Sequence, residues 1–162
     1  MPSDRQWARH PNDVKAEDII QALGLRPHPT EGGYFAETYR SNEVITSEEP
    51  PCRSVPDKAV STAIYYLLTR DTFSAMHRLI SDEVFHFYLG DAVEMLLLYP
   101  DGSHRVVRLG TDLDSGERPQ AVVPRGVWQG SRLIEDGEYA LLGTTVAPAF
   151  DIADYEDRKS VV

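Results

Sequence analysis

Between Ser74 and Gly90 the chain reads Ser-Ala-Met-His-Arg-Leu-Ile-Ser-Asp-Glu-Val-Phe-His-Phe-Tyr-Leu-Gly, which places two histidines and a carboxylate on two predicted strands joined by a short polar turn. A histidine beside a carboxylate on a dry wall is a proton-transfer pair, because imidazole titrates near neutral pH and a neighbouring acid orients it. Strand alternation puts Ala75, His77 and Leu79 on one face of the first strand. It groups Glu83, Phe85 and Phe87 on the second, with Val84, His86 and Tyr88 opposite. His77 and Glu83 are therefore expected to share an interior while His86 faces elsewhere; a one-residue bulge would reverse that. The plainer alternative is a buried polar pair in which each group satisfies the other.

The elements that must position these residues are mostly strands. Extended segments recur at Ser61–Leu68, Ser74–Leu79, Val84–Leu89, Ala92–Leu98, Ser103–Leu109, Ala121–Val123, Val127–Leu133 and Tyr139–Val146. Turn dipeptides such as Arg70-Asp71, Ser81-Asp82, Gly90-Asp91 and Asp136-Gly137 separate them. One amphipathic helix is predicted near the start, where Ala16, Ile19, Ile20 and Leu23 follow the capping candidates Asn12 and Asp13, and Gly24 stops it. Glu31-Gly32-Gly33 reads as a backbone turn before an extended Tyr34–Tyr39, too short for a phosphate-binding loop. Ser41 to Lys58 reads as a solvated loop or flap with Arg53 near its middle, and Asp151 to Asp157 as a solvated acidic stretch. Many short strands with one helix predict a mainly β domain, an antiparallel barrel or jelly roll that disposes of its sheet edges.

The chain has 162 residues, the size of one domain, with 41% hydrophobic and 26% charged residues. Sixteen basic against 26 acidic residues give a net charge of −10, which repels phosphate backbones and anionic membranes, so neither nucleic acid nor membrane is an expected partner. No apolar run is long enough to span a bilayer, and Met1–His10 lacks the apolar stretch of a signal peptide, which predicts a cytoplasmic protein. Cys52 is the sole cysteine, so an internal disulfide or thiolate cluster is out of reach, and any metal would need histidine and carboxylate ligands. His10, His28 and His104 read as surface or loop residues, with His28 near enough to the glycine turn to edge a pocket. Phe85, Phe87, Trp128 and Phe150 are expected in the core or an interface.

His77, Glu83 and Gly90 resemble the first motif of the cupin superfamily, and Pro124-Arg125-Gly126-Val127-Trp128-Gln129 resembles the second. A narrower likeness to the DUF985 or Cupin_5 family runs through His28-Pro29-Thr30-Glu31-Gly32-Gly33-Tyr34, Thr62 to Leu68, His77-Arg78-Leu79, Asp82 to Tyr88, and Val122 to Gln129. The resemblance implies a single cupin jelly-roll domain with its core at about 14–155, a pocket at one barrel end, and a homodimer. It also implies a metal set of His-x-His, Glu and a later His, from which this sequence departs with Leu79 at the second position and Gln129 at the last. A divalent metal on His77, Glu83 and Gln129 thus has two of the usual four ligands missing, and glutamine is a poor donor for the metals imidazole favours. By analogy with metal-free sugar epimerases of the superfamily, His77 is the expected general base and Glu83 its partner. Tyr66 or Tyr88 would orient it or return a proton, and Arg78 or Arg40 would hold an anionic group. The competing readings are a metal-dependent enzyme, with His86 completing the set, and a non-catalytic module that captures a metabolite.

Overall fold

The protein is described from a computed structural model covering residues 14–46 and 57–157. Helix α1 (Ala16–Leu23) forms where the apolar spacing places it, with Ile19 buried and Leu23 partly so. Asp18 closes its first turn by accepting from the Lys15 backbone N–H at 3.2 Å. Gly24 ends it at φ 62°, and the Leu25 N–H returns to the Ile20 carbonyl. Asn12, Asp13, His10, Cys52 and Arg53 lie outside the described residues.

Two antiparallel sheets enclose the core. The first orders β1 (Arg26–Pro27), β2 (Tyr34–Arg40), β5 (Thr62–Thr69), β12 (Tyr139–Ala147), β7 (Asp82–Gly90) and β10 (Gln120–Val123). The second orders β13 (Glu156–Asp157), β6 (Ser74–Arg78), β11 (Trp128–Leu133), β8 (Val93–Leu98) and β9 (His104–Leu109). Alternation decides which side chains enter: Phe85, Leu142 and Tyr66 from the first sheet meet Met95, Leu97 and Val93 from the second. On β5 the run Tyr66-Leu67-Leu68 is buried throughout, because Leu67 points outward beneath α1 and joins Ile19, Leu25, Tyr139 and Leu141 in a second cluster. The helix thus covers what would otherwise be an exposed apolar face.

Two expectations are corrected. The Ser41–Lys58 segment is not loop throughout: β3 (Val44–Ile45) pairs with β4 (Lys58–Ala59), and Lys58 is buried with its Nζ donating to Asp154. The acidic stretch from Asp151 is not a solvated end either. It forms a 3-10 turn at Ile152–Asp154 and then β13, which adds to the edge of β6 opposite Arg78 and His77. Each acidic side chain in it that meets a cation, Asp154 on Lys58 and Glu156 on Arg78, is anchored rather than free.

The glycine turn after β1 brings the N-terminal segment against the sheets. Gly32 has φ 101°, and a Cβ there would run into the Phe73 carbonyl; Gly33 has φ 71° and would meet the Leu67 carbonyl at 2.8 Å. Gly32→Ala is expected to lower the unfolding free energy by at least about 1–2 kcal/mol from the left-handed backbone alone, with further loss from the Phe73 contact, measured by urea denaturation followed by circular dichroism.

Candidate active site

His77 and Glu83 lie in different sheets. The Leu79–Ser81 connection carries the chain from β6 in the five-stranded sheet to β7 in the six-stranded one, so the two residues face each other across the interior instead of lying side by side on a hairpin. The Pro124–Gly126 turn pins this crossing, since the Gly126 N–H donates to the Leu79 carbonyl and the Arg125 N–H to Asp82. Gln129, directly opposite His77 on β11, reaches over the gap and donates its amide to Glu83 Oε2 at 2.7 Å. All three side chains are buried.

His77 is held by two contacts, and its third side is open. Its Nδ1 lies 2.7 Å from the Ala75 carbonyl, and since a carbonyl only accepts, Nδ1 must carry the proton. In the neutral ring Nε2 is therefore a bare lone pair. Tyr155 stacks on the ring at 4.9 Å between centroids and 19° between planes. Nε2 faces Glu31 Oε2 at 3.9 Å, outside hydrogen-bond reach.

His28 and Glu31, which come from the loop between β1 and β2, complete the site. His28 Nδ1 accepts the Glu31 backbone N–H at 3.0 Å, so its neutral ring must carry the proton on Nε2, the opposite tautomer to His77. That Nε2 is 3.8 Å from Glu31 Oε2. Burial holds the His28 pKa below the usual histidine range, which favours this neutral donor form. Ser74 donates to Glu31 Oε1 at 2.6 Å, leaving Oε2 turned toward the two imidazoles. Tyr66 Oη donates to the Gly32 carbonyl at 2.8 Å and ties the turn to β5.

These groups surround a cavity of about 50 Å³ whose polar lining includes His28, Glu31, His77, Glu83 and Thr144, and whose apolar walls include Phe35, Ile64, Leu79 and Phe150. A water needs roughly 10–15 Å³ by this measure, so the space holds about three to five waters or the reacting end of a small molecule. A larger open groove of about 710 Å³ runs over the outer face of the five-stranded sheet, but no histidine lines it and its Glu94 is paired with Arg132.

Several expected pocket residues lie elsewhere. His86 projects from the outer side of β7, where Nε2 is 3.3 Å from Thr145 Oγ1 and Nδ1 is 3.4 Å from Gln120, because alternation opposes it to Glu83. Tyr88 is half exposed on that same outer side, its hydroxyl filling the space a Cβ on Gly143 would need. Arg78 points away from His77, bidentate on Glu156 and stacked over Trp128 at 4.9 Å. Arg40 stands at the rim and is also committed: it pairs with Glu37, itself a lining residue, and reaches the Phe150 carbonyl. Tyr66 is buried next to Glu31 with its hydroxyl occupied by Gly32.

The donor set does not fit a divalent metal. Gln129 presents its amide nitrogen to Glu83, Leu79 brings no donor, and the second imidazole at the cavity, His28, has its proton on Nε2. Among the described residues no three His, Cys, Asp or Glu side chains gather closely enough to hold an ion.

Burial, with the charge of Glu31 second, raises the Glu83 pKa to about 7, against the opposing effects of His77, Gln129 and Thr144. The folded chain therefore binds a proton at Glu83 that the unfolded chain has already released above its ordinary pKa near 4.5. Stability from this group is full below pH 4.5 and is lost as pH rises through about 7. Glu83→Gln, which keeps an acceptor for Gln129, is expected to flatten that decline and to stabilise the protein at pH 8 by on the order of 3 kcal/mol relative to its effect at pH 4.5. Urea unfolding of both proteins across this range measures the difference.

The cupin superfamily (DUF985) description matches residues 17–157. An uncharacterised Saccharomyces cerevisiae protein is 35% identical over 148 residues, 86% of this chain and 73% of that one. The crystal structure of a Shewanella oneidensis protein is similar at 35% identity and a TM-score of 0.78, covering 89% of this chain and 84% of the other. A hypothetical Leishmania major protein matches at 34% identity and 0.79, covering 88% and 86%. Bacillus subtilis oxalate decarboxylase, at 14% identity, a TM-score of 0.56 and coverage of 84% and 31%, shares the fold alone. With the jelly-roll sheets, the His77, Glu83 and Gly90 spacing and the proline-glycine turn all in place, the chain belongs to the DUF985 family of the cupin superfamily.

Proposed function

We propose that the protein is a small-molecule enzyme that removes and returns a proton beside a carbonyl, an epimerase, isomerase or lyase, with His77 as general base. The observation that carries this reading is the His77 ring itself: its Nδ1–H is spent on the Ala75 carbonyl, so its free lone pair on Nε2 faces a buried cavity. Glu83, with a pKa of about 7, supplies a group across the cavity that exchanges a proton near neutrality. The Tyr155 ring and the apolar walls keep bulk water from the reacting carbon. Fold likeness to oxalate decarboxylase, for which Mn(II) centres are described, adds no step here because the donor set does not fit such an ion. We place one small-molecule partner in the site, and a homodimer in the cytoplasm as its setting.

The test is hydrogen exchange in D2O, followed by proton NMR on a panel of aldoses, ketoses and 2-oxo acids. The intact protein is expected to deuterate the carbon beside the carbonyl of at least one compound, and to do so equally after dialysis against EDTA. His77→Asn keeps a donor for the Ala75 carbonyl and deletes Nε2, so the rate should fall by about 10²- to 10⁴-fold. Saturable binding of a panel compound with no exchange would replace the enzyme with a binding module, and an EDTA-sensitive rate would replace the proton-transfer mechanism.

A further inference from the structure

Three polar groups of different kinds turn toward one small space. His77 offers a lone pair on Nε2, His28 offers a proton on Nε2, and Glu31 offers Oε2 between them, 3.9 and 3.8 Å away. The gaps exceed a hydrogen bond, so none of the three is satisfied by another. None can trade roles while neutral, because a backbone carbonyl fixes the His77 tautomer and a backbone N–H fixes that of His28. A ligand that completes all three must present one acceptor and two protons within a few atoms, and an acidic C–H can supply the proton that faces His77.

Resting on the proton-transfer reading above, we propose that the site takes the α-hydroxycarbonyl end of a small molecule, with His28 as a second catalytic residue. The carbonyl oxygen accepts from His28 Nε2–H, the adjacent hydroxyl donates to Glu31 Oε2, and the hydrogen on the hydroxyl-bearing carbon faces His77 Nε2. His77 takes that hydrogen as a proton. The C–H electron pair becomes the new C=C bond while the carbonyl π pair moves onto oxygen, giving an enediolate whose charge the His28 N–H stabilises. Delivery of a proton to the same carbon from the opposite face by Glu83, with His77 releasing its proton to solvent and Glu83 regaining one there, epimerises the compound. Return of the proton by His77 to the neighbouring carbon, while Glu31 Oε2 takes the hydroxyl proton and passes it to the former carbonyl oxygen, exchanges aldehyde for ketone. Electrons and protons balance with no added oxidant or reductant.

A neutral imidazole suits the donor role, since it strengthens its hydrogen bond as charge develops on oxygen without surrendering a full proton beforehand. Glu31 is held for its role by Ser74 on Oε1 and by the Gly32-Gly33 backbone, which Tyr66 clasps. The arginines once available for an anionic substrate group are paired with Glu37 and Glu156. Of the carboxyl groups that line the cavity, Glu37 is paired with Arg40 and Glu83 keeps its proton up to about pH 7, so Glu31 is the charge nearest the ligand, and it favours an uncharged end over a carboxylate or phosphate.

The experiment compares hydroxyacetone with butanone, which replaces the hydroxyl by a methyl group, and follows deuteration of the CH2 carbon in D2O over the uncatalysed rate. The intact protein should favour hydroxyacetone by at least about 10-fold, the worth of a hydrogen bond to a charged acceptor. Glu31→Ala should bring the two compounds close to equal. His28→Asn places an oxygen where Nδ1 accepts the turn N–H but removes the catalytic donor, and should cost about 10²- to 10³-fold on hydroxyacetone. His28→Gln restores a donor near the Nε2 position and should recover part of that loss, which a purely structural His28 would not produce. Thermal melts of each variant confirm that folded protein is compared. Equal enhancement of both compounds by the intact protein, or an unchanged rate in His28→Asn, overturns this inference and leaves His77 as base. Exchange with no carbonyl compound at all overturns both.

Discussion

A carboxyl group buried between two sheets has lost its hydration, and the folded chain must neutralise it or surround it with donors. Glu83 is in that position, and both responses are visible: its pKa rises to about 7, and Gln129 gives it an amide N–H from the opposite sheet. Because the carboxyl belongs to β7 and the amide to β11, the bond forms only when the register of both ladders is right. A slip of one residue on either strand would turn one partner to the outer face. The polar centre of the site and the pairing of the strands are thereby one constraint. The apolar residues around it, Phe85 beside Glu83 and Leu97 opposite Gln129, cannot specify register so sharply, since another hydrophobic side chain would serve nearly as well.

The segment from Asp151 to Asp157 closes the other side. Its exposed contacts are not what holds it: Arg78 and Glu156 are each about 39% exposed, and such pairs contribute roughly 0–1 kcal/mol. The ladder of β13 on β6, the stacking of Tyr155 on His77 and the buried Lys58 to Asp154 pair are the contacts shielded from water. This placement has a chemical consequence. By covering one face of the His77 ring, Tyr155 leaves the edge bearing Nε2 as the ring's approach to the cavity, and β13 keeps the β6 edge, where that ring is rooted, from pairing with another chain.

The strands were legible because each is bounded by turn chemistry and alternates inward and outward. The same alternation placed His77 and Glu83 inside and His86 outside. It held because the register irregularity between β7 and β12 falls at Leu141 and Leu142, beyond Phe87, and leaves Glu83 to His86 in phase. It also contained the answer for Arg78, one residue from His77 and therefore outward, which family analogy had set aside. His28 and Glu31 were harder. They sit in a loop with no period to read; the glycines announce a turn but not the direction of the side chain before it. Tyr155 was hidden by composition, since four acidic residues in seven look like a solvated stretch, and its partner strand lies far upstream in the chain.

What distinguishes this site from a metal centre is the sense in which its nitrogens are committed. A metal needs every facing donor to offer a lone pair, and ligating histidines usually give their other N–H to a carbonyl or carboxylate. His77 alone is arranged that way, with its Nδ1–H on Ala75. His28 is arranged in reverse, by a backbone N–H that can never become an acceptor, and Gln129 turns a donor toward Glu83. Leu79 brings no lone pair to the second position of the His-x-His pattern that the sequence resemblance implies for a metal set. Each departure subtracts from a metal site, but the departures at His28 and Gln129 also add something: an N–H beside the free lone pair of His77, and an amide that holds a carboxyl of near-neutral pKa in place. A base, a donor and a proton reservoir facing one enclosed space are the requirements of proton transfer. The tautomers are fixed by main-chain groups belonging to the fold, so the polarity of the site is set before any ligand arrives.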